Sequence, residues 1–220
     1  MQRGEFDQRF NDYRKYLREE VHRFRDHVAV YRQVQERKFD RLETMNLAPA
    51  FFRVTEDALF TSIVLWADKL FDENGQCGLF NFLTLIENNH KWLSVAELQR
   101  RRAYPNDHWM LEGRTPITVT TIENDRQKIR DLEALKSFRL RRDKFHGHFD
   151  KKYFFDRSRL GVEAPIRWFD LNEAGKVMGS IINDYSVDFD GVSYSWETLN
   201  IDDLEVLLNY VNRGEGRRIR

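Results

Sequence analysis

Cysteine is almost absent from this 220-residue sequence, which contains Cys77 alone. A single thiol cannot form a disulfide within the chain, and it excludes zinc sites made of several cysteines. Long apolar runs are missing too, because the longest, residues 58–67, is about half of what a transmembrane helix requires. The amino-terminal residues lack the apolar core of a signal peptide. We therefore expect a cytoplasmic protein that does not associate with membranes.

Net charge is also lacking, because 36 Lys and Arg residues balance 36 Asp and Glu residues. A neutral chain has no overall field that attracts nucleic acid, so any site for a polyanion must be local. Hydrophobic residues make up 41% of the sequence, which excludes a disordered chain and supplies a sizeable core.

Apolar residues at a spacing of three and four predict long helices in the first third of the chain. The first helix begins near Phe6 and continues, with a break or a bend, as far as Met45, because no glycine or proline interrupts it. Pro49 suits the first turn of a second helix, which ends before Gly75.

The middle of the chain predicts shorter elements. Short helices are expected over residues 79–88 and 95–102, and Ser94 with Glu97 forms a capping box for the second of them. Two prolines predict a loop over residues 104–116.

A third long helix is predicted from Ile117 through Phe138 and beyond. Residues 153–170 contain glycine and proline and indicate an extended connection, after which helical spacing returns over residues 171–185.

The end of the chain predicts a hairpin turn and a last helix. Asp190 and Gly191 lie between two short apolar stretches and have the chemistry of a β-hairpin turn. Asn200 or Thr198 is expected to cap the last helix, and Gly214 to end it.

Long helices joined by loops predict an all-α helical bundle with peripheral helices and at most one short β-hairpin. No internal repeat or flexible linker divides the chain. We predict a single helical domain over residues 1–215 and a basic carboxy-terminal tail over residues 216–220.

Acidic, cationic and imidazole side chains are densest in residues 137–152, which read SFRLRRDKFHGHFDKK. Metal-free RNA cleavage needs a base for the 2′-hydroxyl proton, an acid for the leaving 5′-oxygen and a cation for the phosphate. Histidine titrates near neutrality, and arginine can bind phosphate through two parallel hydrogen bonds. Residues 142–148, hereafter the Arg–His motif, begin with Arg142 and Asp143 and end with His148.

The Arg–His motif resembles the motif of HEPN domains, in particular of their abortive-infection branch. In that superfamily an arginine followed by a polar residue and, after four to six intervening residues, a histidine mark a metal-independent RNase centre on a helical bundle. Five residues separate Arg142 from His148 here. The resemblance extends over residues 66–196, and the aspartate-containing segment 66–72 adds to it. The sequence departs from the family at Gly147, where alanine is more common.

The resemblance implies a role for each residue of the motif. His148 would be the acid or base, Arg142 the cation that binds phosphate, and Asp143 the polar residue that orients them. Auxiliary or RNA-binding roles would fall to four neighbouring residues: Arg141, Lys144, His146 and Lys151.

The resemblance also implies a HEPN-like homodimer, because one arginine and one histidine are a set short of a complete site, and dimerisation brings two motifs face to face. Such a protein would be a toxin or phage-defence effector that cleaves RNA without a cofactor or metal, and an antitoxin protein is a plausible partner by family analogy.

Two alternatives stay open. The first concerns the cation: on a regular helix Arg141 lies about 20° from His148 and Arg142 about 120°, so angle alone favours Arg141. The second concerns function, because a HEPN-like domain can also be a non-catalytic module that binds a partner protein or a nucleotide. A metal site is not favoured, because His146 and His148 have no evident third ligand.

Overall fold

The structure is a computed structural model that describes the backbone of residues 1–218 and the side chains of residues 1–211. Its α-helices are α1 Arg3–Asp40, α2 Leu42–Met45, α3 Pro49–Phe71, α4 Leu79–Glu87, α5 Val95–Arg102, α6 Val119–Arg130, α7 Ala134–Arg141, α8 Lys151–Phe155, α9 Ser158–Glu163, α10 Trp168–Asp190 and α11 Asp203–Arg218. Short 3₁₀ helices cover His90–Leu93 and Trp109–Leu111, and a π-helical turn covers Arg142–His146. No strand occurs in residues 1–218, and the predicted all-α fold is confirmed.

Helix α1 lies between α3 and α10 and is antiparallel to both. Near its carboxy end, the ring of Tyr31 contacts Phe60 of α3 at 5.5 Å and Trp168 of α10 at 5.4 Å, measured between centroids. Near its amino end, Phe10 stacks on Phe189 of α10 at 4.2 Å. The spacing that predicts the helix is also the spacing of its buried face: Phe6, Phe10, Leu17, Val21, Phe24 and Val28. This stripe is covered by α3 and α10, and it forms the centre of the hydrophobic core.

The predicted third long helix is wrong in one respect, because it is two helices, α6 and α7, separated by residues 131–133. No glycine or proline marks the break. Ile129 of α6 and Phe138 of α7 are both fully buried. We attribute the break to this double burial, since both helices contact α10 but α6 packs against α4 whereas α7 packs against α3.

Residues 153–170 are not an extended connection, as the glycine and proline predicted, but contain most of α8 and all of α9. The Asp150 carboxylate caps α8 by accepting a hydrogen bond from the amide of Lys152 at 3.0 Å. Glu163 at the end of α9 accepts bonds from Lys152 at 2.5 Å and from the Tyr153 hydroxyl at 2.7 Å. These bonds fold the two short helices against each other.

The hairpin at Asp190 does not form, because α10 continues to that residue. Gly191 has φ 75° and ends the helix, so the positive φ that favours a hairpin turn is used here as a helix cap. The last helix begins at Asp203, later than predicted, and continues past Gly214 to Arg218. Of the predicted tail, residues 219–220 lie outside the described residues.

The prediction for Ser94 is confirmed as a cap, since its hydroxyl accepts a bond from the amide of Glu97 at 3.4 Å. Glu97 does not return the bond that a capping box requires, because its carboxylate pairs with Arg3 at 2.6 Å. Among the described helices, none has the length and apolarity that crossing a bilayer requires.

Candidate active site

The Arg–His motif begins where α7 widens into the π-helical turn Arg142–His146. The amide of Gly147 donates to the carbonyl of Arg142 at 2.7 Å. In an α-helix the amide of His146 would occupy that place, so the wider turn stacks Gly147 over Arg142. His148 therefore follows directly after the residue that lies one turn above Arg142. Such π turns are frequent at functional sites.

Gly147, the position at which the sequence departs from the HEPN pattern, permits this close approach. A Cβ atom at Gly147 would lie 2.9 Å from the carbonyl oxygen of Arg142. Cβ atoms essentially never come so close to a backbone oxygen, so a larger residue would require this turn to shift.

Arg142 is held by two carboxylates. Its Nη1 donates to Oδ2 of Asp68 on α3 at 2.5 Å, and its Nε donates to Oδ1 of Asp143 at 2.7 Å. The Arg142 side chain is 34% exposed and that of Asp143 is 52% exposed. The hydrogen bond to Asp143, followed by the charges of both carboxylates, raises the pKa of the Arg142 guanidinium. Arg142 is thus a fixed, partly exposed cation.

Asp68 is buried and only half satisfied. The residue is 4% exposed, and its second oxygen, Oδ1, is buried without a hydrogen-bond partner. Burial raises the pKa of the Asp68 carboxyl, and the opposing charge and hydrogen bond of Arg142 do not cancel the effect of desolvation. A buried carboxylate of this kind holds its cation in place at a cost in solvation.

His148 differs from the other groups of the site because it is exposed and, within the described part of the chain, makes no hydrogen bond, ion pair or ring contact. It lies in a bend directly after the π turn, and it precedes the exposed residue Phe149. An imidazole in this position is accessible to a ligand and can exchange protons with it.

His146 is placed quite differently. Its Nδ1 lies 3.1 Å from Oγ1 of Thr61 on α3, and its Nε2 is buried without a partner. Its ring packs edge-on against Phe60 at 6.1 Å. Burial, with a smaller contribution from the nearby charge of Arg141, lowers the pKa of His146 to about 4. The imidazole is therefore neutral near pH 7.

Arg141 is half-buried and contacts α9. Its Nε donates to the carbonyl of Ala164 at 2.7 Å, and its Nη2 donates to the carbonyl of Leu160 at 2.9 Å. Its guanidinium also lies 5.2 Å from the ring centroid of Phe60. Burial lowers the pKa of Arg141. Through these contacts Arg141 attaches the end of α9 to α7, which is a structural role.

The two lysines of the predicted site are on the surface. Lys144 pairs with Asp150 at 3.2 Å, and its side chain is 48% exposed. Lys151 begins α8, is exposed, and has no ion pair among the described residues. Asp143, Lys144 and His148 of the motif are thus exposed, as is Lys151 just beyond it, and Arg142 is partly exposed.

The comparison with protein families gives this arrangement a context. The family model described as AbiU2, a HEPN family, matches residues 7–208, from the first turns of α1 into α11. The chain belongs to the AbiU2 family of HEPN domains. It is an abortive-infection HEPN-like module. No curated protein and no solved structure matches the chain.

Sequence reasoning did not assign a site role to Asp68 of this AbiU2 domain, although it lies within the segment that contributed to the resemblance. A signal was present, because Asp68 lies four residues after Val64 and next to Ala67, both fully buried on the apolar face of α3. A carboxylate at such a position needs a cationic partner. Nothing in the sequence identifies that partner as Arg142.

No group of three or more His, Cys, Asp or Glu side chains within the described residues of the AbiU2 domain is arranged to hold a metal ion. His146 and His148 do not act as a pair, because one is bonded to Thr61 and the other is exposed.

Proposed function

We propose that this AbiU2-family chain is a metal-independent endoribonuclease that acts in the cytoplasm as an abortive-infection effector or toxin. The observation that carries the proposal is the exposed, unpartnered His148 one residue beyond a π turn that begins at the fixed cation Arg142. An accessible imidazole and an anchored guanidinium would together supply the proton transfer and the charge that phosphodiester cleavage needs.

In the proposed reaction, one imidazole takes the proton of a ribose 2′-hydroxyl. The 2′-oxygen forms a bond to phosphorus, and the bond from phosphorus to the 5′-oxygen breaks. A second histidine, protonated at the start as imidazolium, gives its proton to that 5′-oxygen as it leaves and becomes neutral. The products are a 2′,3′-cyclic phosphate and a 5′-hydroxyl, and no oxidant or further reactant is involved.

Arg142 retains donors for the phosphate despite its two ion pairs. Guanidinium has five N–H donors, of which one Nη1 hydrogen and the Nε hydrogen are bonded to carboxylates. The Nη2 group and the second Nη1 hydrogen remain, and these form the fork that matches two phosphate oxygens. Asp68 and Asp143 would therefore orient the cation, and Lys144 and Lys151 would contact neighbouring phosphates.

A second imidazole must come from a second copy of the chain. His146 cannot act as the second acid or base near neutral pH, because its pKa is about 4 and its Nδ1 is bonded to Thr61. HEPN domains often form dimers. We therefore propose a composite site at a homodimer interface, to which each copy contributes His148 and Arg142. A toxin of this kind would need restraint by an antitoxin protein.

The test is cleavage of mixed RNA in the presence of chelator. We expect wild type to cleave, and His148→Ala to lose at least about 100-fold in rate, the usual contribution of general acid–base catalysis. His90→Ala is the matched control, since the contact of that imidazole is with the nearby carbonyl of Glu87. Its rate should equal that of wild type.

Addition of excess His148→Ala to wild type tests the composite site, after conditions are found in which subunits exchange. Activity per wild-type chain should fall as mixed dimers form. Activity that is unaffected by the mutant would contradict the shared site, and cleavage by His148→Ala at the wild-type rate would contradict the nuclease assignment.

One observation favours the alternative, a non-catalytic module that binds a partner protein or a nucleotide. Arg142 is already neutralised by two carboxylates, as in a structural ion pair. A folded wild-type dimer that binds RNA or nucleotide without cleaving RNA would support this alternative.

A further inference from the structure

Four phenylalanine rings form a continuous cluster beside the Arg–His motif. The centroid of Phe149 lies 6.1 Å from Phe145 and 5.2 Å from Phe154, and Phe154 lies 5.3 Å from Phe155. Interplanar angles in these contacts run from 62° to 85°, so no ring of the series is covered by a parallel neighbour. We call this set, Phe145, Phe149, Phe154 and Phe155, the aromatic cluster.

Three of the four rings of the aromatic cluster are exposed to solvent, and Phe145 is half-buried. Phe149 is 70% exposed, Phe155 75% and Phe154 46%. Exposed phenylalanines that contact one another cost hydration free energy without contributing to the core, and such patches mark interaction sites. Phe149 directly follows His148, so one ring of the cluster is next in sequence to the residue proposed as acid or base.

Cations outnumber carboxylates around the cluster. Residues 139–159 contain eight Lys and Arg residues and three Asp residues, and two further carboxylates pair with these cations: Asp68 with Arg142, and Glu163 with Lys152 and Arg159. Eight cations against five carboxylates leave a surplus of three positive charges. The Arg157 guanidinium lies 5.0 Å from the ring centroid of Phe145. Lys151, next along the chain from the Asp150 cap, is exposed and has no ion pair among the described residues.

We propose that the aromatic cluster is a platform on which unpaired bases of single-stranded RNA stack, while the cations around it contact the phosphates. Alternation of aromatic faces with positive charge is the chemistry that binds single-stranded nucleic acid without sequence preference. This inference rests on the proposed function and specifies its substrate class, because a base on Phe149 would bring its phosphate to His148. A duplex offers no free base faces to the rings.

Charge and ring chemistry together argue for RNA as the occupant. In the proposed symmetric dimer the motifs of two copies face each other, so their surplus positive charge is brought together across the shared site. A polyanion neutralises that charge and supplies planar rings as well.

The experiment measures binding separately from cleavage. Full-length protein is titrated into fluorescein-labelled oligonucleotides of about 12 residues, a length that such sites cover, and anisotropy is recorded. All sugars are 2′-O-methyl, so the 2′-oxygen cannot attack. One oligonucleotide is single-stranded, one is its duplex, and one has abasic sites at alternate positions with the same phosphates.

We expect wild type to bind the single strand more tightly than the duplex or the abasic strand. Phe149→Ala and Phe155→Ala should each weaken binding of the single strand by roughly tenfold and bind the abasic strand like wild type. Phe149→Trp, which keeps an aromatic face, should retain wild-type affinity. Trp109→Ala is the control, since this residue is 72% exposed. It lies outside the cluster, near the carboxy end of α10, where the next residue, Met110, approaches Gly191.

Equal binding of all three oligonucleotides, or equal affinity of wild type and both alanine variants, would overturn the inference and leave the nuclease assignment intact. Loss of base-dependent binding in the variants, with no cleavage of natural RNA by wild type, would support the platform and count against the nuclease. A variant that changes the oligomeric state without changing RNA affinity would assign the cluster to self-association and overturn the proposal.

Discussion

Asp68 and Asp125 are both 4% exposed, yet their surroundings differ. The Oδ1 atom of Asp125 accepts a bond from Lys128 at 2.7 Å, and Oδ2 accepts one from the Tyr185 hydroxyl at 2.7 Å. Oδ2 of Asp68 is bonded to Arg142, whereas Oδ1 has no partner. One buried carboxylate is fully satisfied by the helix bundle, and the other is not.

The difference separates a structural polar contact from a candidate site. Between α6 and α10, the pairing of Asp125 joins two helices and leaves neither oxygen unused. At the Arg–His motif, an unsatisfied buried oxygen, a raised carboxyl pKa and a π turn occur together. Departures of this kind from complete satisfaction are expected where function competes with stability.

The largest expected change in the free energy of unfolding comes from removing the cation that pairs with each carboxylate. Arg142→Ala leaves Asp68 buried without a counter-charge and should lower the free energy of unfolding by about 3 kcal/mol. Lys128→Ala should cost less than about 1 kcal/mol, because that lysine is 58% exposed and Asp125 keeps its bond to Tyr185. Urea unfolding followed by circular dichroism measures both.

Asp68→Asn in combination with Arg142→Ala is the control, since it removes the buried charge and should recover most of the loss. Equal losses in Arg142→Ala and Lys128→Ala would erase the distinction between the two carboxylates. Because Arg142→Ala is expected to be less stable, its activity must be measured together with that of the double variant. Otherwise a folding defect would be taken for a catalytic one.

A second test uses His146, whose Nε2 is the other buried atom without a partner in this region. Its pKa is depressed from 6.5 to about 4, so the unfolded state takes up a proton first as pH falls. The stability it contributes is complete above about pH 6.5 and is lost as pH falls to about 4. A shift of this size corresponds to about 3 kcal/mol, and because His146 is only half-buried we expect a loss of about 2 kcal/mol across that window.

His146→Gln cannot titrate, so its free energy of unfolding should depend less on pH between 4 and 6.5 than that of wild type. The difference between the two curves isolates His146 from carboxylates that titrate in the same range. Superimposable pH dependences would show that His146 is not buried as a neutral imidazole.

The smallest effect concerns the π turn. Gly147→Ala places a Cβ against the carbonyl of Arg142 and should cost about 1 kcal/mol, whereas Gly161→Ala in α9 meets nothing within 4 Å and should stabilise by up to about 1 kcal/mol. Thermal unfolding of both variants gives the comparison. A stabilised Gly147→Ala would indicate that the turn closes as readily around alanine.

Periodicity predicted much of the fold because it is a local property. The buried stripe of α1 and the proline at the start of α3 can each be recognised from residues close together in the sequence, and both helices are confirmed. The break between α6 and α7 was missed, because it depends on which surfaces the two halves cover. The glycine and proline of residues 153–170 led to the wrong prediction of an extended connection. Capping by Asp150 and pairing with Glu163 stabilise helices there instead.

The sequence by itself determined the family, the helical class and the identity of the Arg–His motif, because these depend on residue types and spacing along one chain. Only the tertiary structure decided which groups of the motif are accessible. It joined Arg142 to Asp68 across 74 positions of sequence, directed Arg141 to the carbonyls of α9, and left His146 buried and His148 exposed. The physical reason is that burial and pairing arise between helices, and spacing along one helix does not specify its neighbours.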